Sequence, residues 1–389
     1  MAPASLLDGI TVLDLASVGP AARTSRWLAD YGATVVKVGP TPKLGGVQIT
    51  PPFYAYAGHR DMQRAQFDLK ADAGRDAFLR LAATADVVIE SFRPGVVDRL
   101  GIGYSTVSAL NLGVVYCSTT GYGQDGPYSQ WAGHDINYLA VGGYLDCSGR
   151  DASGGPALPG ATIGDGAGGG MQAVIAILAA LVSRSATGVG AYLDVSVADG
   201  VLSLMSLHLD EYLATGKVPA PRHDLLTGRF ACYDVYPCGD GEWLAVGAIE
   251  PQFFANLCRA LGCDQWIEHQ NDDGVQEQIR TDFRAAFATR TRDEWVVALG
   301  PANTCVSAVA SVPAVVDDPH FAARDTFSDA HDTQHGAFKQ LGRVLAGMNR
   351  HQGVAEVRPG TVTDTGELLR GAGFDESEVA ALLEEGVVA

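Results

Sequence analysis

The first forty residues alternate in a way that few folds accept. Ile10 to Leu15 is a short apolar run, Pro20 to Tyr31 has helical spacing with proline at its start and Gly32 just past its end, and Thr34 to Val38 is a second apolar run. Strand, helix and strand in that order make a βαβ unit, which calls for a parallel sheet covered by helices. The alternation continues with strands at Asp86 to Ile89 and Val114 to Ser118 and helical segments around Arg75 to Ala83 and Val96 to Leu110. The expected class is α/β, with a Rossmann-like large domain built on a parallel sheet. No Gly-x-Gly-x-x-Gly follows the first strand, where the turn reads Ala16-Ser17-Val18-Gly19-Pro20. No dinucleotide is therefore predicted.

Further along, the pattern changes. Phe230 to Tyr236, the turn Cys238-Gly239-Asp240-Gly241, and Trp243 to Ala248 read as a hairpin, followed by helices near Gln252 to Leu261 and Val275 to Ala288. This is a smaller α+β domain. With 389 residues, 47% of them hydrophobic, the chain can bury two cores. We expect residues 1–215 to form the first part of the large domain and residues 216–320 the small one. Residues 321–389 then return to the large domain and end in a helix over Glu376 to Glu385, with Asp375 and Glu378 at capping-box spacing.

Charge and composition remove several function classes. The formal net charge of −18 repels nucleic acid and anionic membranes, so a polyanionic ligand needs a local basic pocket. No run reaches the roughly 18 apolar residues of a membrane span. Met171 to Val182 contains Gln172 and reads as a buried helix. The start of the chain, Met1 to Asp8, lacks a basic region followed by an apolar core, so a cytoplasmic address is expected. Seven cysteines show no repeated Cys-x-x-Cys spacing, and no metal is expected, although Cys232 with Cys238 and Cys258 with Cys263 are close in sequence. His331-Asp332-Thr333-Gln334-His335 approximates the H-E-x-x-H zinc pattern. Asp replaces the catalytic Glu, and Gly336 with polar surroundings opposes the helix that pattern needs.

The chemistry concentrates in the middle of the chain. A loop, Thr120-Gly121-Tyr122-Gly123-Gln124-Asp125-Gly126-Pro127, leads to Gly133-His134-Asp135-Ile136-Asn137-Tyr138. About thirty residues later Gly164-Asp165 opens a glycine run before an apolar helix. Asp165 suits a helix cap, and it equally suits acid–base work opposite His134, with one substrate between them. Main-chain N–H groups at that helix start would favour a developing enolate oxygen. Arg60, Arg64, Lys70, Arg93 and Arg99 are separated by turns, so they are either solvated surface cations or a convergent phosphate site.

Phe67-Asp68-Leu69-Lys70, Arg93-Pro94-Gly95-Val96, Arg99-Leu100-Gly101, the His134 and Asp165 segments, Gly247-Ala248-Ile249-Glu250-Pro251 and Gly366-Glu367-Leu368-Leu369 resemble the family III coenzyme A transferases, CaiB/BaiF, and within them the α-methylacyl-CoA racemase branch. The turn Gly58 to Arg64 stands where that family has a basic, asparagine-containing turn. The resemblance implies that Arg60, Lys70, Arg93 and Arg99 line the coenzyme A site. It implies that His134 and Asp165 exchange a proton at the thioester α-carbon through an enolate, with Glu250 orienting His134. It also implies an interlocked homodimer and no cofactor, because coenzyme A enters as part of the substrate. The transferase branch offers the alternative, in which the aspartate corresponding to Asp165 attacks the thioester and carries coenzyme A. A non-catalytic acyl-CoA sensor with the same fold is a third reading.

Overall fold

The computed structural model describes residues 5–16, 18–42, 52–351 and 353–389. Ser17 of the first turn and residues 1–4 lie outside that set. The chain divides into two compact units, one formed by Met1–Tyr144, Pro159–Leu209 and Pro319–Ala389, the other by Leu145–Leu158 and Asp210–Asp318.

The first unit is built on β1 (Thr11–Asp14), β2 (Thr34–Gly39), β3 (Met62–Gln66), β4 (Val87–Glu90), β5 (Val115–Thr120) and β6 (Ala191–Ser196). All pair in parallel, in the order β3-β2-β1-β4-β5-β6, which is the Rossmann order. Successive strand residues face opposite ways, so each strand feeds two cores. Leu13, Val36, Val88 and Tyr116 pack on one face with Phe78 of helix α2 (Asp72–Ala82). Val12, Val35, Val87 and Val115 pack on the other with Leu28 of helix α1 (Gly19–Asp30). Burial on both faces explains why these strands read as continuous apolar runs.

The edge strand β3 escapes that rule. Its Met-Gln-Arg-Ala-Gln sequence has no apolar run, and the expected turn over Gly58 to Arg64 is corrected to a 3-10 turn (Ala55–His59) entering β3. The partners lie far along the chain. Asp364 Oδ2 accepts the Arg64 N–H at 2.9 Å, Thr365 Oγ1 accepts the Gln66 N–H at 3.0 Å, and the Ala389 N–H reaches the Gln66 carbonyl at 3.2 Å. The C-terminal segment thus covers an edge that would otherwise expose unpaired backbone groups.

After β5 come α3 (Asp135–Val141), a π-helical stretch (Gly164–Met171), α4 (Gln172–Thr187) and, following β6, α5 (Val197–Leu204). The π stretch and α4 form one 24-residue rod whose most apolar 18-residue window has mean hydropathy 1.7. The expectation that no segment reaches membrane-spanning length is corrected, because the glycines of the π stretch extend the apolar run. In the fold Ala173, Val174 and Ile177 pack on the sheet, while Ile175 and Val182 face outward, 68% and 72% exposed.

The second unit holds an antiparallel sheet of β7 (Tyr233–Pro237), β8 (Trp243–Gly247) and β9 (Val306–Ala308). Its helix α6 (Pro251–Leu261) buries Phe254 and Leu257 against Tyr236, Phe283 and Phe287. Back in the first unit, β10 (Phe327–Asp332), β11 (Gly336–Leu341) and β12 (Ala355–Val357) form a small mixed sheet that sequence periodicity did not reveal. The zinc-like pattern lies on the β10–β11 hairpin, with His335 Nδ1 2.7 Å from Asp332 Oδ1 and His331 Nδ1 3.1 Å from Glu356. Helices α7 (Thr365–Gly371) and α8 (Glu376–Glu385) close the chain, and Asp375 with Glu378 forms the expected capping box.

At the carboxyl edge of the sheet, Glu90 ends β4 and is 1% exposed. Its carboxylate accepts the Phe92 N–H at 2.7 Å and pairs with the Ser118 hydroxyl. Burial nevertheless pushes Glu90 up to about 6, so the folded state holds this proton more tightly than the unfolded chain. Stability therefore falls as pH rises from the unfolded carboxyl range through about 6. Glu90→Gln should raise stability near pH 7.5 by on the order of 2 kcal/mol, a gain that closes toward pH 4 in urea denaturation.

Candidate active site

A polypeptide rarely makes a π helix without an external reason, and the segment Gly-Asp-Gly-Ala-Gly-Gly-Gly-Met has poor intrinsic helicity. The reason is packing. A Cβ on Gly200 of α5 would lie 1.8 Å from the Gly168 carbonyl oxygen, and a Cβ on Gly169 would lie 2.6 Å from Pro20 Cβ at the start of α1. Only glycine permits these approaches. They draw α1 and α5 onto the π stretch, while the Thr24 hydroxyl of α1 donates to the Gly170 carbonyl at 3.2 Å.

Asp165 lies on the first turn of this stretch, with its side chain 18% exposed. Its own N–H donates to Asp135 Oδ1 at 2.7 Å. Asp135 directly follows His134, so one carboxylate ties the histidine segment to the aspartate segment across thirty residues of chain. His134 occupies the N-cap of α3 with extended backbone, and its N–H donates to Asn137 Oδ1 at 3.0 Å. Its ring is exposed. Beneath it, Tyr138 packs against the backbone of Gly121 and Gly133 and donates its hydroxyl to the Gly133 carbonyl at 2.6 Å.

A cation from α1 faces the same carboxylate. Arg23 NH1 is 3.7 Å from Asp165 Oδ2, and Arg23 NH2 donates to Thr162 Oγ1 at 2.6 Å. The guanidinium also sits 5.7 Å from the Tyr56 ring centre. Burial raises the Asp165 carboxyl above the usual aspartate range and Asp135 adds to the rise, whereas Arg23 and His134 pull it back. Burial, then the charge of Asp165, pushes the Tyr138 phenol up to about 12, so it stays a neutral donor. Beside Tyr138, the rings of Tyr122, Tyr128 and Trp131 form an aromatic wall, with Tyr128 and Trp131 stacked at 4.0 Å. A half-open cleft of about 160 Å³ lies between Tyr122, Pro127, Tyr128, Val141 and Leu202.

Several sequence expectations change here. Asp165 makes no capping bond, since Ile163 holds the N-cap position. The N–H groups expected to receive an enolate are partly engaged, that of Asp165 by Asp135 and that of Gly166 by the Thr162 carbonyl at 2.9 Å. Arg60 is withdrawn from the phosphate set. It is 4% exposed, with NH2 3.0 Å from Asp30 Oδ1 and NH1 donating to the Leu341 carbonyl at 2.6 Å. Arg64 is likewise committed to the Arg358 and Pro359 carbonyls. Lys70, Arg93 and Arg99 are exposed and make no ion pair among the described residues. Lys70 follows β3 and Arg93 follows β4, on the carboxyl side of the sheet where ligands of open α/β folds bind. Glu250 belongs to the second unit, at the exposed N-cap of α6; burial raises the nearby Cys305 thiol and the charge of Glu250 adds to the rise. Sequence reading missed Arg23 and Asp135. Asp135 had a signal in its place beside His134; Arg23 had none, since only helix packing brings it there.

A Rossmann-ordered sheet places a histidine, an ion-paired aspartate and exposed cations near its carboxyl edge, where ligands of open α/β folds bind. Comparison with known proteins is specific. The model of CoA-transferase family III matches residues 7–365, and the chain belongs to that family. α-Methylacyl-CoA racemase of Mus musculus is 32% identical over 387 residues, 98% of this chain and 97% of the relative. Succinyl-CoA–D-citramalate CoA-transferase of Chloroflexus aurantiacus is 30% identical over 354 residues, 87% of this chain and 86% of that one. The crystal structure of a CAIB/BAIF family protein from Brucella suis superposes with a TM-score of 0.74 at 28% identity, covering 94% of this chain and 98% of its own.

The glycine contact is testable by a single substitution. Gly200→Ala should lower stability by about 2 kcal/mol in denaturant unfolding, because a backbone carbonyl must move to admit the methyl group. Turnover should fall by at least roughly tenfold as Asp165 shifts with it.

Proposed function

We propose that the protein is a cofactor-independent racemase of 2-methylacyl-CoA thioesters. The observation that carries this reading is the Asp135 bridge, which holds the Asp165 main chain at 2.7 Å from the carboxylate adjoining His134 and so keeps a carboxylate and an imidazole on one site. Inverting a carbon next to a thioester carbonyl needs a base on one face and an acid on the other. Asp165 takes the α-proton of one enantiomer while His134 returns a proton to the opposite face, and the roles exchange for the other enantiomer. Burial and Asp135 raise the Asp165 carboxyl, which suits a group that must both take and return a proton, and Arg23 and His134 oppose part of that rise. Lys70, Arg93 and Arg99 are the proposed partners for the phosphates of coenzyme A, and the aromatic wall with its cleft is the proposed acyl side. From the family resemblance, Glu250 is proposed as a third functional residue.

A second reading is supported by the citramalate CoA-transferase relative and by the same ion pair. An aspartate facing a guanidinium is also a candidate nucleophile, and in transfer Asp165 would carry the acyl group and then coenzyme A. An intertwined homodimer is proposed from the resemblance, supported by the outward Ile175 and Val182 of the helical rod.

One assay separates these readings. A single enantiomer of a 2-methylacyl-CoA is incubated in deuterated water, with and without a free acid acceptor. Racemisation predicts α-deuterium uptake with loss of optical purity, reduced at least about 100-fold in His134→Ala and in Asp165→Ala. Glu250→Gln should lower kcat with little change in KM. Acceptor-dependent exchange without α-deuteration would sink the racemase reading in favour of transfer, and binding without either reaction would favour a sensor.

A further inference from the structure

The enolate needs a donor, and the π stretch has engaged the two amides nearest Asp165. The Asp165 N–H belongs to Asp135, and the Gly166 N–H belongs to the Thr162 carbonyl. A cationic donor stands at this carboxylate on α1, where Arg23 NH1 is 3.7 Å from Asp165 Oδ2. We propose that Arg23 is a catalytic residue that faces Asp165 in the resting site and hydrogen-bonds the thioester oxygen as it becomes an enolate. This rests on the α-proton reading above.

The argument is geometric. Arg23 is anchored on its far side, where NH2 donates to Thr162 at 2.6 Å, and it lies over Tyr56, whose hydroxyl accepts the Gly19 N–H at 3.0 Å. Its NH1 points to Asp165 across 3.7 Å, too long for a hydrogen bond, so donor capacity remains on that side. An α-carbon in reach of the Asp165 carboxylate stands about 3 to 3.5 Å from it. The thioester oxygen is two bonds from that carbon, about 2.4 Å away. A guanidinium 3.7 Å from the carboxylate can therefore meet that oxygen at hydrogen-bond distance while the base meets the proton.

The step balances within the site. Asp165 takes the α-proton, the C–H pair becomes the C=C bond of the enolate, and the carbonyl π pair moves to the oxygen facing Arg23. Protonation of the opposite face by the His134 imidazolium restores the carbonyl, leaving Asp165 protonated and His134 neutral until solvent resets them. Other charges facing Asp165 are Asp135 and His134 from the α3 segment, which act in opposite directions. The contacts of α5 with the π stretch run through the uncharged residues Val197, Gly200 and Val201.

The test compares Arg23→Gln and Arg23→Lys with the wild-type protein, each checked for folding by thermal unfolding. Two readouts are used. The first is the titration of Asp165 by carbon-13 NMR of aspartate-labelled protein, assigned through the signal missing in Asp165→Asn. We expect this titration to move to higher pH in Arg23→Gln and to be largely restored in Arg23→Lys. The second is α-deuterium exchange of a 2-methylacyl-CoA, where kcat should fall about 100-fold in Arg23→Gln with KM within about twofold. Arg23→Lys should recover only part of that loss, since an ammonium lacks the guanidinium fork. An unmoved titration, or exchange within about twofold of wild type in Arg23→Gln, overturns the proposal. A wild-type protein that transfers coenzyme A but exchanges no α-proton overturns the enolate role together with the reading beneath it. Loss of exchange in Arg23→Gln alone, with wild type active, isolates the role of Arg23 from that of the parent reaction.

Discussion

The carbonyl of Gly168 rests against the Cα of Gly200, and the arrangement around Asp165 depends on that backbone contact. With no Cβ in the way, α5 approaches the π stretch from one side while Pro20 and the rest of α1 approach through Gly169 from another. The π stretch answers to these neighbours more than to its own helix propensity. Its width turns the Asp165 N–H toward Asp135 and its carboxylate toward Arg23. Close-packed interiors are stiff, so a site built on main-chain contacts keeps its charges where chemistry needs them.

Electrostatics then divides the molecule into roles. The chain carries a net charge of −18, yet Lys70 and Arg93 follow strand ends on the carboxyl side of the parallel sheet. Other cations are structural: Arg26 near the end of α1 and Arg60 just before β3 are buried on Asp30 and serve the fold. Lys70, Arg93 and Arg99 stay exposed and unpaired among the described residues, the condition expected of groups that meet a mobile anion rather than a fixed carboxylate. Arg23 is intermediate. It is one-quarter exposed, held by Thr162, and separated from Asp165 by a gap that a substrate atom can share.

The sheet depends on a second long-range tie. Strand β3 has little apolar content, and its free edge is closed by residues 300 positions later, at Asp364 and Thr365, and by the last residue of the chain. The C-terminal helices thereby join the core that holds Phe67 and Phe78. Because the partners of this edge lie 300 residues away, the half-polar run from Met62 to Gln66 carries no strand signal of its own, and Gly58 to Arg64 reads as a turn.

Much of the large unit was legible in the residues themselves. The buried strands β1, β2, β4 and β5 read as apolar runs because both faces are covered, and α1 showed its proline start and glycine stop. His134 and Asp165 stood out by their glycine-bounded settings, and the C-terminal helix by its capping pair. Strands β3 and β10 to β12 were not legible, since half-polar edge strands take their order from partners distant in sequence. Nor were the separate fates of the basic residues: Arg60 and Arg93 look alike in a sequence, and burial beside Asp30 tells them apart. By itself the sequence determined the alternation of strands and helices that calls for a parallel sheet, and the residue types present for proton transfer, because periodicity and chemistry are local properties. Tertiary structure alone decided that Arg23 faces Asp165 and that Asp135 joins the histidine and aspartate segments, because both contacts exist only where glycine lets separate backbones meet.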